Sequence, residues 1–208
     1  MQIKNKEWLE LNEKGTTLYG YDQDWFSTPY KMTRGCGPTV AAMILVYLAR
    51  RDSLWLPFKG ESISEAFLSM ERAWEYFTPH PALGLYSTEK FCLGAARLIL
   101  DYGLNLKVRK LSVRLLKSWR PRTKKTAAFI KRGLESDSPV AFLNLQSGSC
   151  KQLESWHWAL IVGMEKDNGK DIVVLYDNGG IRRFDLEEWL ETSGLGGGFV
   201  YFDKTRAL

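Results

Sequence analysis

Residues 33–51 read TRGCGPTVAAMILVYLARR, and the position of Cys36 within them is the key to the fold. Val40 to Leu48 are almost all apolar, which predicts a helix buried on most of its sides. Gly35, Gly37 and Pro38 read as a turn in front of it, with Pro38 suited to the first helical position, where a missing N–H costs nothing. Cys36 is therefore expected at the N-terminal tip of a core helix, with glycines that let another backbone or a substrate come close. Unpaired N–H groups and partial positive charge at a helix N-terminus stabilise an anion, and the thiolate is the nucleophilic form of cysteine. The same residues also suit a small buried hydrophobe beside turn glycines, so the rest of the chain has to discriminate.

Around this stretch the first half reads mostly as helix. Ser62-Ile63-Ser64-Glu65 has the pattern of a capping box and opens a helix with Ile63, Phe67, Met70, Trp74 and Phe77 on one face. A further helix is expected from Ser87-Thr88 to Tyr102, stopped by Gly103. The second half switches to short apolar strands at 139–145, 158–164, 172–176, 181–184 and 199–202. Asp177-Asn178-Gly179-Gly180 signals a hairpin turn, and Asp185-Leu-Glu-Glu188 a capped helix start. Helices first and antiparallel sheet second predict an α+β fold, with a helical lobe packed against a sheet lobe.

The 208 residues suffice for one domain with a sizeable core and hardly for two. A single domain spanning 1–208 is expected, with 1–18 as an N-terminal extension. No run of eighteen apolar residues predicts a transmembrane helix, and the mixed-charge start MQIKNKEWLELNEKG does not resemble a secretion signal. Three widely spaced cysteines, Cys36, Cys92 and Cys150, with no CxxC or HxxxH pattern, argue against a zinc site. A reduced, cytoplasmic protein fits this usage. Cys92 reads as an inert thiol on a helix face, and Cys150, in SGSCKQ, as an ordinary exposed one.

Charge is unevenly placed. Residues 107–132 hold eleven Lys or Arg and no acid, leaving 18 basic and 24 acidic residues elsewhere. Leu115, Leu116, Trp119, Phe129 and Ile130 recur there at roughly helical spacing, so one or two short amphipathic helices ending near Leu134 are expected. A solvated basic face is the expectation, with weak polyanion contact through 107–132 as its alternative.

A cysteine nucleophile needs a base, and the chain has two histidines. His80, in Thr-Pro-His-Pro-Ala, reads as an exposed loop residue. His157 begins the strand in SWHWALIVGM and, by strand alternation, faces away from Trp156 and Trp158. The base in turn needs an acceptor to orient it. Asp177 ends the next strand, and antiparallel pairing would set it beside His157; Asn178 is the substitute, and plain turn chemistry the alternative.

GCGPTVAAMI, HWALIVG and LYDNGG, in that order, resemble the papain-like cysteine peptidases, and more closely the branch of bacteriocin leader peptidases that cut after double-glycine leaders. The resemblance runs from about Gly20 onward. It implies a papain-like fold, with Cys36 on a central helix and His157 and Asp177 on adjacent strands. It also implies a glutamine before the cysteine that helps hold the oxyanion. Here that residue is Gln23, thirteen before Cys36, whereas the leader peptidases carry it six before, where Tyr30 stands. The implied activity is hydrolysis of a peptide or protein substrate at an amide bond through a thioester acyl-enzyme, without metal or organic cofactor. Acyl transfer by the same triad, as in transglutaminase-like and acetyltransferase-like folds, and a catalytically silent peptide-binding module are the alternatives.

Overall fold

A computed structural model describes residues 1–205. The chain begins with a single 3₁₀ turn at Lys6–Leu9 and a small hairpin, β1 (Glu10–Glu13) and β2 (Thr16–Tyr19). Its Lys14-Gly15 turn has positive φ at both residues, 50° and 85°, the twist a two-residue hairpin turn needs. Helices α1 (Pro29–Arg34), α2 (Cys36–Arg51), α3 (Ile63–Tyr76) and α4 (Thr88–Asp101) follow. Then come β3 (Leu106–Val113), α5 (Thr123–Glu135), β4 (Val140–Asn144), β5 (His157–Asp167), β6 (Lys170–Asp177), β7 (Gly180–Asp185), α6 (Leu186–Thr192) and β8 (Gly197–Lys204). The architecture is α+β. No helix among the described residues is long and apolar enough to cross a membrane.

The main sheet has six strands in the order β3-β8-β4-β5-β6-β7, and every neighbouring pair is antiparallel. The last strand in the chain thus lies inside the sheet, between β3 and β4. Val140 and Phe142 of β4 point to one face, where Val140 lies against Gly133 of α5 and Phe142 packs edge-on to Trp189 of α6. Alternation sends Ala141 and Leu143 to the other face, the one against which α2 packs. Gly37 through Leu48 of α2 are all buried, between this sheet face and α3.

Local signals in the sequence are realised with two modifications. Ser62 and Ser87 cap α3 and α4, accepting the N–H of Glu65 (3.2 Å) and Lys90 (3.2 Å). The Glu65 carboxylate, however, takes the N–H of Glu61 (2.9 Å) rather than closing the box on Ser62. Asp185 caps α6 by accepting the N–H of Glu187 at 2.9 Å. Asn178 and Gly179 form the β6–β7 turn, with φ of 46° and 72°. Residues 1–18, expected as an extension, are packed onto the fold: Ile3, Leu9 and Leu11 are buried, and the Met1 ammonium donates to the Met164 carbonyl at 2.8 Å.

Two expectations are corrected. The first half of the basic region is a strand, not a helix: Leu106–Val113 forms β3 at the sheet edge, where its charged side chains stay in water and discourage further pairing. Leu115, Leu116 and Trp119 are exposed rather than sharing a buried helical face with Phe129 and Ile130. Second, GCGP is not a turn. Gly35 (φ −83°, ψ −7°) is a helical joint between α1 and α2, and Gly37 and Pro38 lie within the first turn of α2.

These glycines serve packing within the chain, not approach by a substrate. A Cβ at Gly35 would collide with the Phe26 ring and lie 2.6 Å from the Lys31 carbonyl oxygen; one at Gly37 would lie 2.6 Å from the Leu85 side chain. Gly35→Ala is therefore expected to destabilise the protein by roughly 1–3 kcal/mol through overpacking. Urea unfolding checks this as a lower midpoint at unchanged slope; an unchanged midpoint would mean that Phe26 yields freely.

Candidate active site

Cys36 is the first residue of α2, whose first bond within the helix end runs from the Thr39 N–H to the Gly35 carbonyl (2.9 Å). Pro38 has no N–H, so the thiol stands where backbone donors are free of helical partners. The residue is half-buried. The Phe26 ring behind Gly35 and the Leu85 side chain over Gly37 hold this tip in place.

The sheet positions His157 and Asp177. β4 pairs with β5 so that Asn144 opposes His157, and β5 pairs with β6 so that Leu160 opposes Tyr176. This brings the first residue of β5 beside the last residue of β6, as antiparallel neighbours require. His157 Nε2 and Asp177 Oδ1 are 2.6 Å apart, with the two residues 7% and 5% exposed. Asn178 is a residue of the turn itself. His80 is exposed, and its Nδ1 accepts the N–H of Ala82 (3.2 Å) and Leu83 (3.3 Å).

Sequence reading missed two members of this cluster. Arg182 Nε lies 2.8 Å from Asp177 Oδ2, and another of its nitrogens is 2.9 Å from Glu154 Oε1. A third donates to the Gln152 carbonyl at 2.9 Å. The Glu154 carboxylate in turn lies 4.0 Å from His157 Nδ1. The signal for Arg182 was present: a two-residue turn at 178–179 pairs Arg182 with Leu175, on the sheet face of Asp177 and diagonal to it. Glu154, in an irregular loop, gave none. With both oxygens engaged, the Asp177 carboxylate is buried but not unpaired, which removes most of the penalty for burying it.

Burial by itself would push the His157 imidazole down, but its hydrogen bond to Asp177 and the adjacent Cys36 sulfur outweigh that and raise its pKa to about 10. The Cys36 sulfur thus adjoins the imidazole. The other two thiols have different surroundings. Burial pushes Cys92 up to about 11. Cys150 is not the exposed thiol that its polar flanks suggest: it is buried, and burial, with Glu188 and Asp185 adding to it, raises it to about 11.

A cleft of about 200 Å³ opens beside Cys36, lined mainly by apolar groups that include Leu85, Leu143, Leu145 and Trp156, with Arg34 among them. The Trp158 indole N–H donates to the Leu85 carbonyl and fixes that wall. Trp156, at φ 57°, is a bulky residue in the left-handed region at the rim of the cleft, a conformation that costs energy and is concentrated at functional sites. Gln23 sits in a 3₁₀ turn, Gln23–Trp25, packed against α1 and followed by the Phe26 that fills Gly35. Its Oε1 is buried without a hydrogen-bond partner. Neither a protein-family model nor a curated protein matches the chain.

Brief iodoacetamide treatment at about pH 6, where free thiols are mostly protonated, is expected to label Cys36 and spare Cys92 and Cys150. In His157→Ala the labelling rate at this pH should fall, because the adjacent imidazole is lost. Labelling of Cys150 first, or a rate indifferent to His157, would separate Cys36 from the histidine. A pH test follows from the same pair. A histidine raised on folding from 6.5 to about 10 stabilises the native state fully below pH 6.5, and this contribution is lost as pH rises through about 10. The urea midpoint of the wild type should therefore fall toward that of His157→Ala across this window.

Proposed function

We propose that the protein is a papain-like thiol hydrolase that cleaves a peptide or amide bond through a thioester acyl-enzyme. The observation that carries this reading is the meeting of Cys36, at a helix tip from the first half of the chain, with a buried His157–Asp177 pair from the second. Nucleophile, base and orienting carboxylate in sequence of contact are the arrangement covalent acyl chemistry needs.

Because Nε2 of His157 faces Asp177, Nδ1 is the nitrogen that exchanges protons at the reacting centre. The Cys36 thiolate attacks the substrate carbonyl carbon, forming a C–S bond as the carbonyl electron pair moves onto oxygen. The backbone N–H of Cys36 at the helix end, and the Gln23 amide, are the donors for that oxyanion. Collapse breaks the C–N bond, and the amine leaves with the proton from His157 Nδ1. Water then gives a proton to His157 and attacks the thioester, and the C–S bond breaks to return the thiolate. Arg182 acts through Asp177, as a positioning residue. The apolar lining of the cleft favours a substrate with an apolar side chain near the scissile bond.

The test is turnover of a fluorogenic peptide library by the wild type, Cys36→Ala and Gln23→Ala. Cys36→Ala is expected to abolish cleavage and Gln23→Ala to lower turnover on the order of 10²–10³-fold with the fold intact. Added amine that captures the acyl group in place of water would convert the reading to acyl transfer. Tight peptide binding by the wild type without any turnover would convert it to a binding module.

A further inference from the structure

The loop joining β3 to α5 carries Leu115, Leu116 and Trp119 at 60%, 54% and 65% exposure. It is a fastened loop. The Arg120 guanidinium donates to the carbonyl oxygens of Arg114 (2.8 Å), Leu115 (3.2 Å), Leu190 (2.7 Å) and Gly194 (3.0 Å), tying the loop to the segment after α6. Arg114 lies over the Trp119 ring, 5.9 Å from its centroid. Lys117, Arg122, Lys124 and Lys125 are exposed around it, and no acid occurs between 107 and 132. Glu191 of α6 lines the recess behind the loop, with Lys117 and Arg122.

Its place in the sheet matters. Val113, where β3 ends, pairs with Gly197; Gly197 pairs with Asn144; Asn144 pairs with His157. The loop therefore leaves the sheet at the end that carries the catalytic cluster, three strand spacings or roughly 14 Å from His157. Trp156, 53% exposed, rims the same end.

We infer that this end of the molecule docks on an anionic membrane surface, with Leu115, Leu116 and Trp119 entering the headgroup region and Arg114, Lys117 and Arg122 meeting lipid phosphates. Charge complementarity selects this occupant. An apolar knob ringed by cations matches an interface whose outer layer is anionic and whose next layer is apolar, and tryptophan favours that boundary. A nucleic acid would use the cations and leave the leucines in water. Docked in this way, the Cys36 cleft opens close to the membrane surface, so substrates presented there are reached first.

Co-sedimentation of the full chain with phosphatidylcholine vesicles, with and without phosphatidylglycerol, tests this at low and high salt. Partition into the phosphatidylglycerol vesicles at low salt is expected, weakening as salt rises. Replacing all three apolar residues (Leu115→Ser, Leu116→Ser, Trp119→Ser) should reduce it at least tenfold, and Lys117→Gln with Arg122→Gln roughly thirtyfold. Cys36 labelling reports that the variants remain folded, and Cys36→Ala should bind as the wild type does. Absence of partition at low salt overturns the inference. So does partition that the serine variant retains, which would be adsorption through charge alone. Heparin retention without vesicle binding would assign the surface to a polyanion instead.

Discussion

Burial of α2 is the constraint from which the other arrangements follow. From Gly37 to Leu48 every residue is buried, and a helix apolar on all sides is stable only when every side is covered. The sheet covers one face and α3 another, while Trp8 packs against Tyr47 at its C-terminal half. Tyr47 is accommodated because its hydroxyl donates to the buried Asp137 carboxylate at 2.6 Å, which also accepts the Lys4 N–H at 2.8 Å. A helix so enclosed can meet solvent only at its ends. Cys36 is at one of them, held by a core that cannot shift without disturbing most of the molecule.

The electrostatics of the site are settled by strand register rather than by loops. His157 and Asp177 are end residues of adjacent strands, and Arg182 is fixed opposite Leu175, diagonal to Asp177, by a two-residue turn. A slip of one residue in this pairing would send Asp177 to the other face of the sheet. The Asn178-Gly179 turn, with both residues in the left-handed region, permits only the observed register. Rigid elements therefore supply His157 and its acceptor, while the cleft beside Cys36 is bounded on one side by the irregular segments around Leu85 and Trp156.

Much of this was legible in the sequence, for local reasons. The apolar run in α2, the alternation in β5 and β6, the serine caps and the Asn178-Gly179 turn are short-range signals, and together they bring Cys36, His157 and Asp177 to their places. What escaped depends on distant contacts. Residues 106–113 form a strand only because β8 and the sheet edge receive them. Cys150 is buried because its loop folds under α6, where its sulfur lies 4.0 Å from the Asp185 carbonyl; its polar neighbours in sequence gave the opposite impression. Gly35 and Gly37 looked like room for a ligand, and the Phe26 and Leu85 that fill it lie nine and forty-eight residues away in sequence.

The interior position of β8 gives the molecule a timetable. Strands β5, β6 and β7 can pair as they leave the ribosome, each with a neighbour already made. β3 cannot: its partner in the sheet is β8, synthesised some ninety residues later. Until then β3 is a charged, unpaired ribbon, and the Leu190 and Gly194 carbonyls that complete the Arg120 clamp are made only just before β8. A nascent chain halted before Gly197 would already contain Cys36, His157 and Asp177, yet its sheet would lack the strand that joins β3 to β4. Assembly of this kind, dominated by partners far apart in sequence, is slow. A growing chain thus carries its thiol for most of its synthesis before the sheet that frames the site is complete.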